Sequence, residues 1–244
     1  MVPDSAEGGP MTQDAAEVGD TMAGRSVLVA GATGGLGSAI ATNLAKRGAA
    51  LTLVSRRHDR LAALDVPGHR LALDLRDPDS CEAAIRAAVG HAGKLDVVVN
   101  AAGVVAFGPI EELSVDTMEE LFMTNTFVPI LLAKAALGAL TEGGVIVNIS
   151  GVIAEQNLPG MAAYGASKAA ARSFDEALTR EARRRKIRVI NARPPHTETG
   201  LADRPIDGQS PKMPMGLDPV AVAAIICDAI AGDIADLPST SFTS

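Results

Sequence analysis

A doubly wound α/β fold, with a parallel sheet covered by helices on both faces, is the class this sequence predicts. Three features point to it. Six short runs are mainly apolar, helical patterns separate them, and the first run leads directly into a cluster of glycines. Strands buried on both faces read as continuous apolar runs, and parallel neighbours need crossovers long enough to hold a helix. Those crossovers are right-handed. With 244 residues and no linker-like stretch between 26 and 230, the chain reads as a single domain, 24–244, behind an acidic tail, 1–23.

The elements follow in order. Strand 26–30 (SVLVA) meets the glycines at 31–37, and a helical stretch continues to Arg47. Strands 51–55 (LTLVS) and 69–73 (HRLAL) come next. Asp77 or Asp79 can cap a helix over 80–92, with Pro78 at an early position that tolerates a missing N–H. Strands 95–99 (LDVVV), 145–149 (VIVNI) and 187–191 (IRVIN) complete the set, and long helical patterns cover 115–140 and 163–185.

Composition limits the function classes. The chain is 47% hydrophobic and 21% charged, with a formal net charge of -7, which argues against nucleic-acid binding. The acidity is uneven. Residues 1–24 hold five acids and no Lys or Arg, leaving 22 cations against 24 acids in the body. A tail so poor in apolar residues predicts disorder, and it has no basic start or apolar core of a signal peptide. The stretch 97–110, broken by Asn100, Gly103, Gly108 and Pro109, falls short of the ~20 apolar residues a membrane span needs. Cys81 and Cys227 lie far apart without ligand-like spacing, so buried thiols in a reducing, cytoplasmic compartment are expected.

Gly31, Gly35 and Gly37, with Gly34 between, sit where a strand turns into a helix. Glycine there permits a tight turn and close approach of a pyrophosphate, and the helix N-terminus supplies N–H groups and a favourable dipole. The alternative is a plain turn. The second strand ends at Ser55-Arg56-Arg57, about twenty residues past the glycines, where NAD would call for a carboxylate. A small polar residue followed by arginines suits a 2′-phosphate, so NADP is expected over NAD. A solvated arginine pair is the plainer reading.

Tyr164 is the only tyrosine, and Lys168 follows four residues later. On a helix the two share a face, and a cation beside a phenol favours the phenolate. That pair suits proton transfer near neutral pH.

Here the motifs carry a resemblance. Gly31-x-x-x-Gly35-x-Gly37, Asp74-Leu75, Asn100-Ala101-Ala102-Gly103, Asn125, the run ending Asn148-Ile149-Ser150, and Tyr164-x-x-x-Lys168 occur in order over roughly 24–232. In this the chain resembles the classical short-chain dehydrogenase/reductase family, which implies a Rossmann-like fold. The resemblance implies Tyr164 as proton donor to a carbonyl or base for an alcohol, and Lys168 on the nicotinamide ribose. It further implies Asn125 holding a relay water, Asp74 on the adenine, Asn100 securing the strand beside the cofactor, and Thr199 on the carboxamide. Thr33, Leu36, Leu75, Ala101, Ala102, Gly103 and Ser150 fall at cofactor-contacting positions of the same motifs. Each has a plainer reading: helix-face amide for Asn125, strand-end cap for Asp74, turn for 100–103, loop hydroxyl for Thr199.

Two departures stand out. The family typically places a carbonyl-orienting serine thirteen residues before the tyrosine; here that position is Gly151, with Ser150 just before it. Adjacent strand residues point to opposite faces, so Ser150 substitutes only if the strand end bends. Arg193-Pro194-Pro195-His196 replaces the usual Pro-Gly, which stiffens the loop and sets His196 beside the expected reaction site, as a donor or as a solvated loop residue. Segment 201–217, with its Pro, Met, Arg204 and Lys212, reads as a lid over a partly apolar substrate, and the basic run 180–188 as a solvated helix end. The expected protein is an NADP-linked oxidoreductase acting on a small carbonyl or alcohol, without nucleic acid or membrane partners, as a homodimer or homotetramer. The alternatives are an NADP-binding regulator or sensor, and a different reaction with the same cofactor.

Overall fold

The structure, a computed structural model, describes residues 22–242. Seven strands form one parallel sheet: β1 (Ser26–Ala30), β2 (Ala50–Ser55), β3 (His69–Ala72), β4 (Leu95–Asn100), β5 (Leu140–Ile149), β6 (Arg188–Ala192) and β7 (Asp236–Leu237). Their order is β3-β2-β1-β4-β5-β6-β7, so the winding reverses between β1 and β4. All neighbours pair in parallel. β1 and β4 are buried at every residue, whereas β3 on the edge alternates half-buried and exposed.

The helices are α1 (Gly35–Lys46), α2 (His58–Ala62), α3 (Pro78–Ala92), α4 (Val115–Phe122), α5 (Val128–Leu137), α6 (Ala162–Ala182) and α7 (Pro219–Ala231). Alternation along the strands divides the core into two layers. Val27, Val29, Val97 and Val99 face Ile40 and Leu44 of α1 and Ile226 and Ile230 of α7. Leu28, Val98 and Ile146 face Ile85 of α3, Leu132 of α5 and Leu178 of α6. Asp77 caps α3 by accepting from Asp79 N and Ser80 N, with Pro78 in the first turn, and Gly93 ends it at φ 75°.

Several expectations are corrected. The helix expected over 115–140 is broken by a π-turn, Met123–Phe127, between α4 and α5. Pro129 explains the break, because it has no N–H for the carbonyl of Asn125 four residues earlier. The run Val115–Leu137 is 23 residues, with a mean hydropathy of 1.3 over its most apolar 18, so it is long and apolar enough by composition to cross a membrane. It outranks 97–110 on that count, and half of that window is buried inside the protein. Val128, Leu132, Ala133 and Ala136 of α5 are core residues.

The basic run does not end wholly in solvent either. Arg183–Arg185 forms a separate exposed turn, but Arg188 donates to the carbonyls of Ala229 and Ile230 in the last turn of α7 and of Ile234 just past it. Of the expected tail, 1–21 lies outside the described residues; Met22 is fully buried and belongs to the core. Cys81 and Cys227 are both buried free thiols, pushed up by burial to about 11 and about 12.

Candidate functional site

A cleft of about 530 Å³ opens at the carboxyl ends of the strands, where the order reverses. Ligands of open parallel sheets bind at that place. Gly31, Thr33, Gly35, Leu36, Gly37, Ser55, Arg56, Arg57, Asp74, Leu75, Ala101, Ala102, Gly103, Ser150, Tyr164, Lys168 and Thr199 all line it. Asn100 and Asn125 do not; both are buried behind the wall.

The glycine turn is shaped by its own backbone neighbours. Gly31 sits at φ 74°, and a Cβ there would stand 2.6 Å from Ala102 N. A Cβ on Gly35 would come within 2.6 Å of Thr199 O, and one on Gly37 within 2.2 Å of Gly31 O. The glycines therefore serve internal packing as well as any ligand. α1 has no side-chain cap at Gly34 and no acid in its first turn. Its leading N–H groups and dipole remain for an anion, which fits a pyrophosphate.

At the far end of the cleft stand Arg56, Arg57, Arg60 and Arg76. Thr33 Oγ1 and Ser55 Oγ share a hydrogen bond of 2.7 Å. Arg57 is exposed and paired with Asp59, at 2.6 Å. Arg76 holds the Asp74 carboxylate through Nε and Nη2 and also pairs with Glu120 of α4, which lies 3.7 Å from Arg56. The Arg76 guanidinium keeps the Asp74 carboxyl below the usual carboxylate range. Arg60, Arg76 and Glu120 were not singled out from the sequence. Their signal was the basic density around 56–60 and the arginine two residues after Asp74.

Asn100 Oδ1 accepts from Ala102 N at 3.2 Å, so it shapes the chain as it leaves β4 behind the cleft. Asn125 lies in the π-turn, where its Nδ2 donates to Val104 O (2.9 Å) and Ser167 Oγ (3.0 Å) and its Oδ1 accepts from Val104 N (3.0 Å). The side chain is a clamp between the loop after β4 and α6. Ser167, also not foreseen, passes the contact on to Tyr164 O at 2.7 Å.

Tyr164 and Lys168 stand one turn apart on α6. Lys168 Nζ donates to Ile149 O at 2.8 Å. Gly103 allows the approach of its loop, since a Cβ there would lie 3.3 Å from Lys168 Nζ and 3.4 Å from Asn125 Oδ1. Burial pushes Tyr164 up to about 12 and Lys168 down to about 8, and desolvation is the cause of both.

The strand end is bent, as Gly151 allowed: φ 80°, ψ 165° there is a conformation kept for glycine. The bend does not free Ser150, whose hydroxyl donates to Asn191 Oδ1 at 2.6 Å and is buried. Of segment 201–217, Leu201, Ala202, Arg204, Ile206 and Met213 line the cleft, as do Phe107, Ile153 and Met161. It is latched by Ile206 N to Val105 O (2.8 Å), Phe107 N to Asp207 O (3.0 Å) and Thr117 Oγ1 to Asp207 Oδ2 (2.8 Å).

A doubly wound sheet, with a glycine-lined cleft at its reversal point and a tyrosine–lysine pair in the cleft wall, defines a Rossmann-like oxidoreductase domain. Comparison with known proteins narrows the class. The short chain dehydrogenase family model matches residues 25–209. An uncharacterized oxidoreductase of Methylorubrum extorquens is 34% identical over 184 residues, 72% of this chain and 74% of its own. Mouse 3-ketodihydrosphingosine reductase is 34% identical over 195 residues, 74% of this chain, but the match spans only 59% of that enzyme. A crystal structure of a short chain dehydrogenase from Burkholderia cenocepacia J2315 in complex with NADP superposes with a TM-score of 0.78 at 26% identity, covering 90% of this chain and 98% of that one. The chain belongs to the short-chain dehydrogenase/reductase family of oxidoreductases.

Proposed function

We propose that the protein is an NADP-dependent oxidoreductase that interconverts a carbonyl and a secondary alcohol. The observation that carries this reading is that Tyr164 and Lys168 share one cleft with the uncapped α1 N-terminus. When bound, the cofactor supplies or takes up the hydride. The α1 N-terminus holds the pyrophosphate, Asp74 and Leu75 border the adenine, and Arg56, Arg57 and Arg60 receive the 2′-phosphate. Tyr164 keeps its proton at neutral pH, the state a donor to a carbonyl oxygen needs. Lys168 stabilises the phenolate left behind and holds the nicotinamide ribose. Asn125 keeps α6 and the loop after β4 in register, and Thr199, seated on Gly35, borders the carboxamide. The resemblance to mouse 3-ketodihydrosphingosine reductase and to the NADP-bound Burkholderia neighbour supports the reading.

We further read the protein as a cytoplasmic homodimer or homotetramer. The two buried thiols fit a reducing compartment, and the half-exposed Phe127 gives the α4–α5 run an apolar face for a second copy. Gly151 favours a second reading, an NADP-binding sensor, because it removes a donor to the substrate. One experiment separates them. NADPH should bind at least about tenfold more tightly than NADH, the equivalent of one charge-assisted contact. Tyr164→Phe should then lower ketone reduction by about 10²–10⁴-fold while NADPH binding holds. Equal binding of the two cofactors rejects NADP specificity, and an undiminished Tyr164→Phe rejects the proton role.

A further inference from the structure

Position 151 has no side chain, and its neighbours have nothing to spare. Ser150 N and Gly151 N both donate to Ala192 O (2.9 and 3.2 Å), and Val152 N donates to Pro194 O (2.9 Å). The Ser150 hydroxyl is committed to Asn191. Every N–H and O–H donor on 150–152 is therefore already committed within the protein. The same bonds lay 192–194 alongside 150–152, with Pro194 O only 3.7 Å from where a Cβ on Gly151 would stand.

Two residues further on, His196 joins Tyr164 in lining the cleft. Its side chain is 30% exposed, and Nε2 lies 3.3 Å from Glu198 Oε1. Glu198 is fixed in turn: its Oε1 accepts from Gly216 N at 2.6 Å, and its own N–H donates to Leu217 O at 3.0 Å. Gly216 lies close against His196, since a Cβ there would stand 2.7 Å from both His196 Cδ2 and His196 O. Pro194 and Pro195 stiffen the backbone leading in. A ring held on one nitrogen by a carboxylate presents the other nitrogen in a fixed direction.

We propose that His196, oriented by Glu198, donates to the substrate carbonyl oxygen the hydrogen bond that position 151 does not provide. The contact needs a proton on the ring nitrogen turned to the carbonyl, and a ring protonated on both nitrogens has one for Glu198 as well. No proton leaves His196; Tyr164 still supplies it. The proposal rests on the carbonyl–alcohol reading above.

The test uses 1-tetralone, an uncharged ketone suited to the lining of Phe107, Ile153, Met161 and Met213. The chain has four histidines, so ¹³C-histidine labelling resolves each ring, with His196 assigned by its loss in His196→Ala. Added to the NADP⁺ complex, where no turnover occurs, tetralone should move the His196 signal and leave His58, His69 and His91 in place. In NADPH-linked reduction, His196→Ala should lose about 10²-fold in kcat with NADPH affinity unchanged, and His196→Gln should stand about tenfold above it. A His196 signal unmoved by tetralone overturns the proposal, as does a His196→Ala kcat within about threefold of the parent. A shifted His196 without any reduction of tetralone would instead count against the carbonyl–alcohol reading and leave the contact standing.

Discussion

Between the carboxamides of Asn148 and Asn191, which donate to it at 2.6 and 2.5 Å, the carboxyl of Asp175 is shut away from solvent. Burial wins over both amides and the nearby Arg193, pushing it up to about 7; Glu176 adds to the shift. The consequence for stability has a definite sign. An unfolded aspartate releases its proton near pH ~3.9. Between there and about 7 the folded chain keeps a proton that the unfolded chain has lost, so stability falls as pH rises across that window and levels off above it. Asp175→Asn should remove that slope. Unfolding temperatures of parent and variant from pH 4.5 to 8 should converge toward the acid end, and parallel curves would rule out the titration.

The turn from β1 into α1 and the middle of α3 give opposite forecasts for the same substitution. A Cβ on Gly35 would press into the backbone of Thr199, so Gly35→Ala should cost about 1–3 kcal/mol, as overpacking does. Gly90, inside α3, has open space around its Cβ position, and Gly90→Ala should gain about 0.5–1 kcal/mol. Denaturant midpoints of the two variants should move in opposite directions. Much of this architecture was legible in the sequence, because strands buried on both faces are mainly Val, Leu and Ile, and because Tyr164 and Lys168 need only helical spacing to share a face. The π-turn was less visible, although Pro129 announces a break. α7, with apolar residues on most sides, has no periodic stripe to read, and the two residues of β7 are too few for any pattern. The Asp175 cluster depends on Asn148 and Asn191 from distant strands, and Glu198 beside His196 is fixed by Gly216 from another part of the loop, which no local signal encodes.

At the scale of the whole molecule, Arg193 joins parts that are far apart in the chain. Buried to 4% exposure, it bonds Asn191 on β6, pairs with Asp236 on β7 at 2.7 Å through both Nη atoms, and pairs with Glu155 beyond the strand end of β5. Glu155 also accepts from Ser239 Oγ at 2.7 Å, which ties in the C-terminal turn. Arg193 is buried but Asp236 is half-exposed, so water takes up part of what is lost and removing the guanidinium should cost about 1–3 kcal/mol. Arg193→Ala should therefore lower the unfolding midpoint markedly and expose the segment after α7 to proteolysis before the rest. Unchanged digestion at that end would show that β7 is held by its strand pairing alone.

The chain has one tyrosine and no tryptophan, and that tyrosine stands in the cleft. Its near-ultraviolet absorbance and emission therefore carry the signature of a phenol at a single address. No label or engineered chromophore is needed to follow what arrives there: the untouched protein is its own optical gauge of the place where a proton would be handed over.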